Sequence, residues 1–164
     1  MRQPVRRDAR RSRGFTLIEL LVAVAIVGVL TAMVIPMAEV TVQRQREAEL
    51  RLALREIRSA IDAYKAAGDN GLIEKSLLRN GYPASLQTLV EGVPNVRDPK
   101  APRMVFLRRI PRDPLAPEAR SGQDAWGLRS YASPHDDPQP GEDVYDVYSL
   151  APGKGLNGIR YREW

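Results

Sequence analysis

Nineteen consecutive residues, Leu20 to Ala38, carry no charge and read LLVAVAIVGVLTAMVIPMA. As an α-helix rising about 1.5 Å per residue, the run spans about 28 Å, close to the ~30 Å hydrocarbon core of a bilayer. Core helices of soluble domains are usually shorter and keep a polar face. This one is apolar all round, so it predicts a single membrane-crossing helix near the N-terminus.

Charge placement orients that helix. Arg2, Arg6, Arg7, Arg10, Arg11 and Arg13 precede it, with Asp8 as the one opposing acid. The other 150 residues hold 19 basic and 19 acidic groups, so the formal net charge of +5 belongs to the first 14 residues alone. Under the positive-inside rule the N-terminus stays cytoplasmic and the remainder is exported. A secretory signal peptide has a shorter apolar stretch and a small-x-small cleavage site after it. Here Ala23 and Ala25 lie inside the run and Glu39 follows it, which indicates a retained anchor. With no net charge beyond the leader, nothing favours a nucleic-acid partner.

Composition narrows the chemistry. The chain has no cysteine and one histidine among 164 residues. That excludes a disulfide framework, thiolate zinc sites, thiol nucleophiles and multi-histidine metal centres. No G-x-S-x-G word is present, and Gly153-Lys154-Gly155 is too short for a phosphate loop. His135-Asp136-Asp137, set between prolines in a polar stretch, reads as a solvated loop. A membrane-anchored enzyme therefore has no catalytic constellation to work with.

Glu19 does not suit a plain anchor. An acid at the centre of a membrane helix costs on the order of 2.5–3.5 kcal/mol, and less near the interface. It either sits at the headgroups or awaits a positive partner. A free α-amino group, exposed by a cut just upstream, is the obvious candidate. The arginine-rich leader, then Gly14-Phe15-Thr16-Leu17-Ile18-Glu19-Leu20, then the apolar run, resembles the class III signal of type IV pilins and type II secretion pseudopilins.

That resemblance implies several expectations. A prepilin peptidase/methyltransferase cuts between Gly14 and Phe15 and N-methylates Phe15. Glu19 neutralises the terminal ammonium of a neighbouring subunit during assembly. Pro36 marks a kink where the helix bends or loosens on assembly, unless it is a passive kink at the membrane exit. The implied fold class is α+β, the type IV pilin fold. A long N-terminal helix, half membrane and half amphipathic, packs on a small antiparallel sheet.

The domain reading follows from the same pattern. Residues 1–14 form the cleaved leader, 15–38 the transmembrane and assembly helix, 39–67 its amphipathic continuation, and 68–164 the periplasmic part. Within 39–67, Leu50, Leu54, Ile57, Ile61 and Tyr64 recur at spacings of four and three, a single apolar stripe. The charges around it, including Glu47, Arg51 and Arg58, read as a solvated face. Gly68-Asp69-Asn70-Gly71 supplies the stop. Tyr82 to Val90 predicts a turn and a short helix capped by Ser85. Met104–Ile110 ends at Pro111-Arg112-Asp113-Pro114, and Asp124–Gly127, Leu128–Ser133 and Asp143–Leu150 read as turns and short strands. A three-stranded antiparallel sheet is expected.

Further words resemble one branch of the family, the major (G-type) pseudopilins. These are Tyr82-Pro83 with the stretch to Val90, Leu107 to Pro114, Trp126-Gly127 with Tyr131, and Tyr145 to Ser149. Two departures stand out. Leu115–Ala125 separates Asp113-Pro114 from Trp126-Gly127, and the C-terminal loop Ala151–Arg160 lacks the acidic residues that bind calcium in the family. Calcium wants six to eight oxygen ligands, the anionic ones supplying most of the affinity. Backbone carbonyls, Ser149 and Asn157 alone make a weak site, so no cofactor is expected.

The resemblance implies a structural subunit of a short periplasmic filament that pushes folded proteins through the outer membrane. The filament is a helical homo-oligomer, joined by other pseudopilins and an inner-membrane secretion platform. The subunit waits in the inner membrane, single-pass, with its C-terminal part in the periplasm. The alternatives are a surface type IV pilin for adhesion, motility or DNA uptake, and a minor pseudopilin.

Overall fold

A computed structural model describes residues 14–74, 80–117 and 120–164, with the side chains at 33–36 left out of the description. The leader before Gly14 lies outside the described residues. The chain divides into a first unit ending at Thr41 and a second unit, Val42–Trp164.

One helix, α1 (Leu17–Asp69, 53 residues), contributes to both units. In the first unit its large apolar side chains from Leu17 to Leu30 are 52–77% exposed. A helix that is apolar all round and uncovered needs a non-aqueous environment or other protein around it. It is long and apolar enough to cross a membrane.

In the second unit the stripe on α1 behaves as its period dictates. Leu50, Leu54, Ile57, Ile61 and Tyr64 are all buried, and Ala53, Ala60 and Ala67 fill the gaps between them. The helix ends in a Schellman motif: Leu72 N–H donates to Ala67 C=O at 2.9 Å and Gly71 N–H to Gly68 C=O at 3.0 Å. Gly71 takes φ 65°, a left-handed conformation that glycine adopts without a Cβ penalty.

α2 (Leu86–Glu91) starts where its cap predicts. Ser85 Oγ accepts from Thr88 N–H at 3.3 Å, and Leu86 and Leu89 turn into the core. The sheet pairs β1 (Trp126–Arg129) with β2 (Asp146–Ser149), antiparallel, with Trp126 opposite Ser149 and Arg129 opposite Asp146. Val147 and Ser149 of β2 face inward while Asp146 and Tyr148 are half-buried, the alternation a strand requires. Gly127 lies directly opposite Tyr148, and a Cβ at Gly127 would collide with that ring.

Two expectations are corrected. Among the described residues the sheet has two strands, not three. The backbone of Met104–Leu107 is used elsewhere: Met104 exchanges hydrogen bonds with Val93 at 2.8 and 3.0 Å, and Phe106 and Leu107 both donate to Leu89 C=O at the end of α2. Pro102 and Pro111, which lack the N–H a ladder needs, bracket this segment. The charged face of α1 is also not uniformly solvated, because Glu47 is buried. The long helix packed on a small antiparallel sheet is nevertheless the predicted α+β arrangement.

Candidate functional site

The start of α1 carries the residues singled out as the processing and assembly site. Gly14, Phe15 and Thr16 precede the first helical residue, Leu17, and all are exposed. Thr16 and Glu19 form a reciprocal pair. Glu19 N–H donates to Thr16 Oγ1 at 3.2 Å, and Thr16 N–H donates to Glu19 Oε2 at 3.5 Å. This is a capping box, in which two of the helix's orphan N–H groups find side-chain acceptors. The Thr-x-x-Glu spacing could have revealed it in the sequence. Acid at a helix N-terminus is also favoured by the helix dipole. Glu19 thus shapes the end of the helix that a new α-amino group at Phe15 would occupy. α1 runs through Pro36 as one continuous helical element.

A second cluster, missed by sequence reasoning, ties the C-terminal segment to α1. Glu47 Oε1 accepts from Leu156 N–H at 2.9 Å, Gln43 Nε2 at 3.0 Å and Tyr161 Oη at 3.1 Å. Arg51 approaches the other carboxylate oxygen at 3.7 Å and lies over the Trp164 ring, 4.2 Å from its centroid. Arg58 Nε pairs with Asp146 at 2.7 Å while its Nη2 donates to the Val147 and Trp164 carbonyls. Burial pushes the Tyr161 hydroxyl above its ordinary pKa; the Gln43 bond works against this and the Glu47 bond with it. The Glu47 carboxylate is buried here because it has partners.

The sequence words shared with the major pseudopilins meet in space. Asp113 Oδ2 accepts from Ser149 Oγ at 2.5 Å and its Oδ1 from Leu115 N–H at 2.8 Å, both residues being fully buried. Trp126 Nε1 donates to Pro111 C=O at 2.9 Å. Tyr82, Tyr131 and Tyr145, from three separate words, pack against one another with ring centroids 5.0–5.7 Å apart. These words build the scaffold of the second unit.

The donor set does not fit a calcium ion. Loop 151–160 offers no carboxylate. Ser149 Oγ is engaged by Asp113 and Ala151, and Asn157 Oδ1 accepts from Ile159 N–H. Lys154 and Arg160 pair across the loop in a backbone bridge, adding positive charge. Among the described residues no three His, Cys, Asp or Glu side chains gather as a metal site. His135, Asp136 and Asp137 are exposed, as a solvated loop should be.

Comparison with known proteins agrees with this architecture. Residues 9–35 match the prokaryotic N-terminal methylation motif. The chain is 33% identical over 116 residues to the type II secretion system core protein G of Dickeya chrysanthemi, covering 66% of this chain and 67% of that protein. It is 32% identical over 111 residues to the core protein G of Klebsiella pneumoniae, covering 64% and 70%. For the Pectobacterium carotovorum counterpart the identity is 33% over 111 residues, covering 63% and 62%. No solved structure gives a significant match. With a third of its positions identical over two thirds of a relative, a methylation motif at its start and the long helix on a small sheet, this chain belongs to the family of type II secretion system core protein G, the major pseudopilins.

Proposed function

We propose that this protein is the structural subunit of a type II secretion pseudopilus, made as a precursor, cut between Gly14 and Phe15, and methylated on Phe15. The observation that carries this reading is the methylation motif over residues 9–35, set on a helix whose apolar side chains stand uncovered. A family of secretion core proteins supplies the context. The protein is a building block and not an enzyme; an ATPase outside this chain drives the cycle.

The physics of assembly follows from the helix. While the subunit waits in the inner membrane, residues 15–38 lie in lipid, the amphipathic part 39–67 continues the helix, and residues 68–164 face the periplasm. On entry into a filament, lipid contact is exchanged for contact with other helices, so the apolar surface never meets water. Glu19 without a positive partner is unfavourable in a low-dielectric surrounding, and the α-amino group of a neighbouring Phe15 removes most of that penalty. The pairing sets the register of each copy. Pro36 deletes one helical hydrogen bond and gives the helix a place to loosen as it leaves the membrane. The partners are further copies, the processing peptidase, other pseudopilins and an inner-membrane secretion platform. No nucleic acid and no cofactor are involved.

A deletion strain tests this directly. Exported proteins are expected to accumulate, folded, in the periplasm, and the wild-type gene restores their release. Unchanged secretion in the deletion strain contradicts the reading.

A further inference from the structure

The exposed surface of α1 in the second unit is polarised. Leu52 stands at its centre, 59% exposed. At about 100° of helix per residue, Glu49 and Glu56 lie about 40–60° to one side of Leu52, and Arg51 and Arg55 about 60–100° to the other. All are exposed. The result is a ridge with an apolar knob, an acidic flank on one side and an arginine edge on the other. Asp62 and Arg46 break this segregation only about two turns past Arg55 and one turn before Glu49.

The arginine edge borders a groove of about 310 Å³, lined by Arg51, Leu54, Arg55, Arg58, Asn157, Ile159 and Trp164, with one acid, Glu163, whose carboxylate lies 3.9 Å from Arg160. Its floor is apolar: Leu54 is buried, Trp164 half-buried, and Ile159 presents 46% of its surface. Arg58 is engaged by Asp146, and Arg51 by Glu47 and the Trp164 ring. Among the described residues, Arg55 and Glu56 have neither an ion pair nor a side-chain hydrogen bond. An apolar groove with Arg55 on its rim complements an apolar knob whose one acidic flank holds Glu56 and Glu49, the latter accepting only from the neutral Gln45 amide.

We infer that the Glu49–Leu52–Glu56 ridge of one copy docks into the Arg51–Arg55 groove of a second copy of this chain. This rests on the reading of the protein as a filament subunit. Ridge and groove are different surfaces, so the contact is head-to-tail and leaves one of each free at the ends; such contacts propagate into open helical filaments. A shared membrane orientation of the α1 helices fixes the copies as parallel. Opposite charges at the rim favour correct encounter, and like charges brought together oppose it.

The test uses the full chain in its native membrane. The chain has no cysteine, so single cysteines report cleanly. Co-expressed Leu52→Cys and Ile159→Cys copies are expected to give an oxidant-dependent disulfide dimer that neither variant gives alone. Arg55→Glu or Glu56→Arg, added to both copies, is expected to reduce that dimer about tenfold, and the two together to restore it to within about twofold. Because these sites are exposed, melting temperatures should stay unchanged. A dimer from Leu52→Cys alone, a cross-link to a different protein only, or indifference to the charge swap while filaments form overturns this contact and leaves the filament reading standing. Wild-type copies that never assemble overturn both.

Discussion

The Tyr161 hydroxyl donates a hydrogen bond of 3.1 Å to Glu47 Oε1 across 114 positions of the chain. The same oxygen accepts from the Leu156 amide, so one buried carboxylate on α1 holds the C-terminal segment at two points. The chain thus fastens its C-terminal segment with a side chain of its own long helix.

Glu47→Ala removes the acceptor and leaves buried donors unpaired. It should destabilise the protein by about 3 kcal/mol, and Tyr161→Phe by about 1 kcal/mol. The double variant should show a coupling of about 1 kcal/mol, because the two groups share one bond. Urea denaturation of the detergent-solubilised chain measures all three. Strict additivity contradicts the latch.

The joint between Asp113 and Ser149 is equally sensitive. Ser149→Ala strips the hydroxyl donor from a fully buried carboxylate and should cost about 2 kcal/mol. Gly127→Ala drives a methyl group into the Tyr148 ring on the paired strand and should cost about 3 kcal/mol. Thermal melts that match wild type for both variants contradict the packing described here.

Stability should fall in alkali. Burial raises the hydroxyl pKa values of Tyr64, Tyr82 and Tyr161 above the ordinary 10.0. A raised pKa means that, between the unfolded and folded values, the folded state holds protons the unfolded state has released. The stabilisation is therefore complete below pH 10 and is lost as pH rises through the folded values. Tyrosinate absorbance should show Tyr64, Tyr82 and Tyr161 titrating late, with the melting temperature dropping over the same interval. Titration of Tyr64, Tyr82 and Tyr161 at pH 10 itself contradicts this.

The capping box with Thr16 and the proposed pairing with a neighbour's ammonium make separable demands on Glu19. Its side chain closes the capping box with Thr16, a role glutamine also fills, whereas neutralising an ammonium needs the negative charge. Glu19→Ala, Glu19→Val and Glu19→Gln should all be cut after Gly14, and all should fail to assemble. Filaments from Glu19→Gln, with none from Glu19→Ala, would assign the residue to capping alone. Shearing or immunoblotting of assembled filaments distinguishes the cases.

Much of this was legible before any coordinates. Periodicity alone placed Leu50, Leu54, Ile57, Ile61 and Tyr64 in the core, and Gly71 marked the end of α1, because both signals are local. Ser85 announced α2 for the same reason. Glu47 and Arg58 were not legible: on the helix they look like any surface charge, and only Tyr161, Leu156 and Asp146, 88 to 114 residues away, make the burial of Glu47 tolerable and engage Arg58. The missing third strand has a similar cause. Phe106 and Leu107 give their amides to Leu89, a choice set by tertiary packing. At the N-terminus the word from Gly14 to Leu20 pointed to processing, and its Thr16-x-x-Glu19 spacing carried a capping signal that the processing reading left unused.

The central claim is that a peptidase frees Phe15 so that its amine can meet a neighbour's Glu19. Intact-mass and N-terminal peptide mass spectrometry of the protein purified from its native membrane tests it most directly. The account predicts a chain beginning at N-methylated Phe15. A chain that still carries the arginine-rich segment ahead of Gly14 contradicts it.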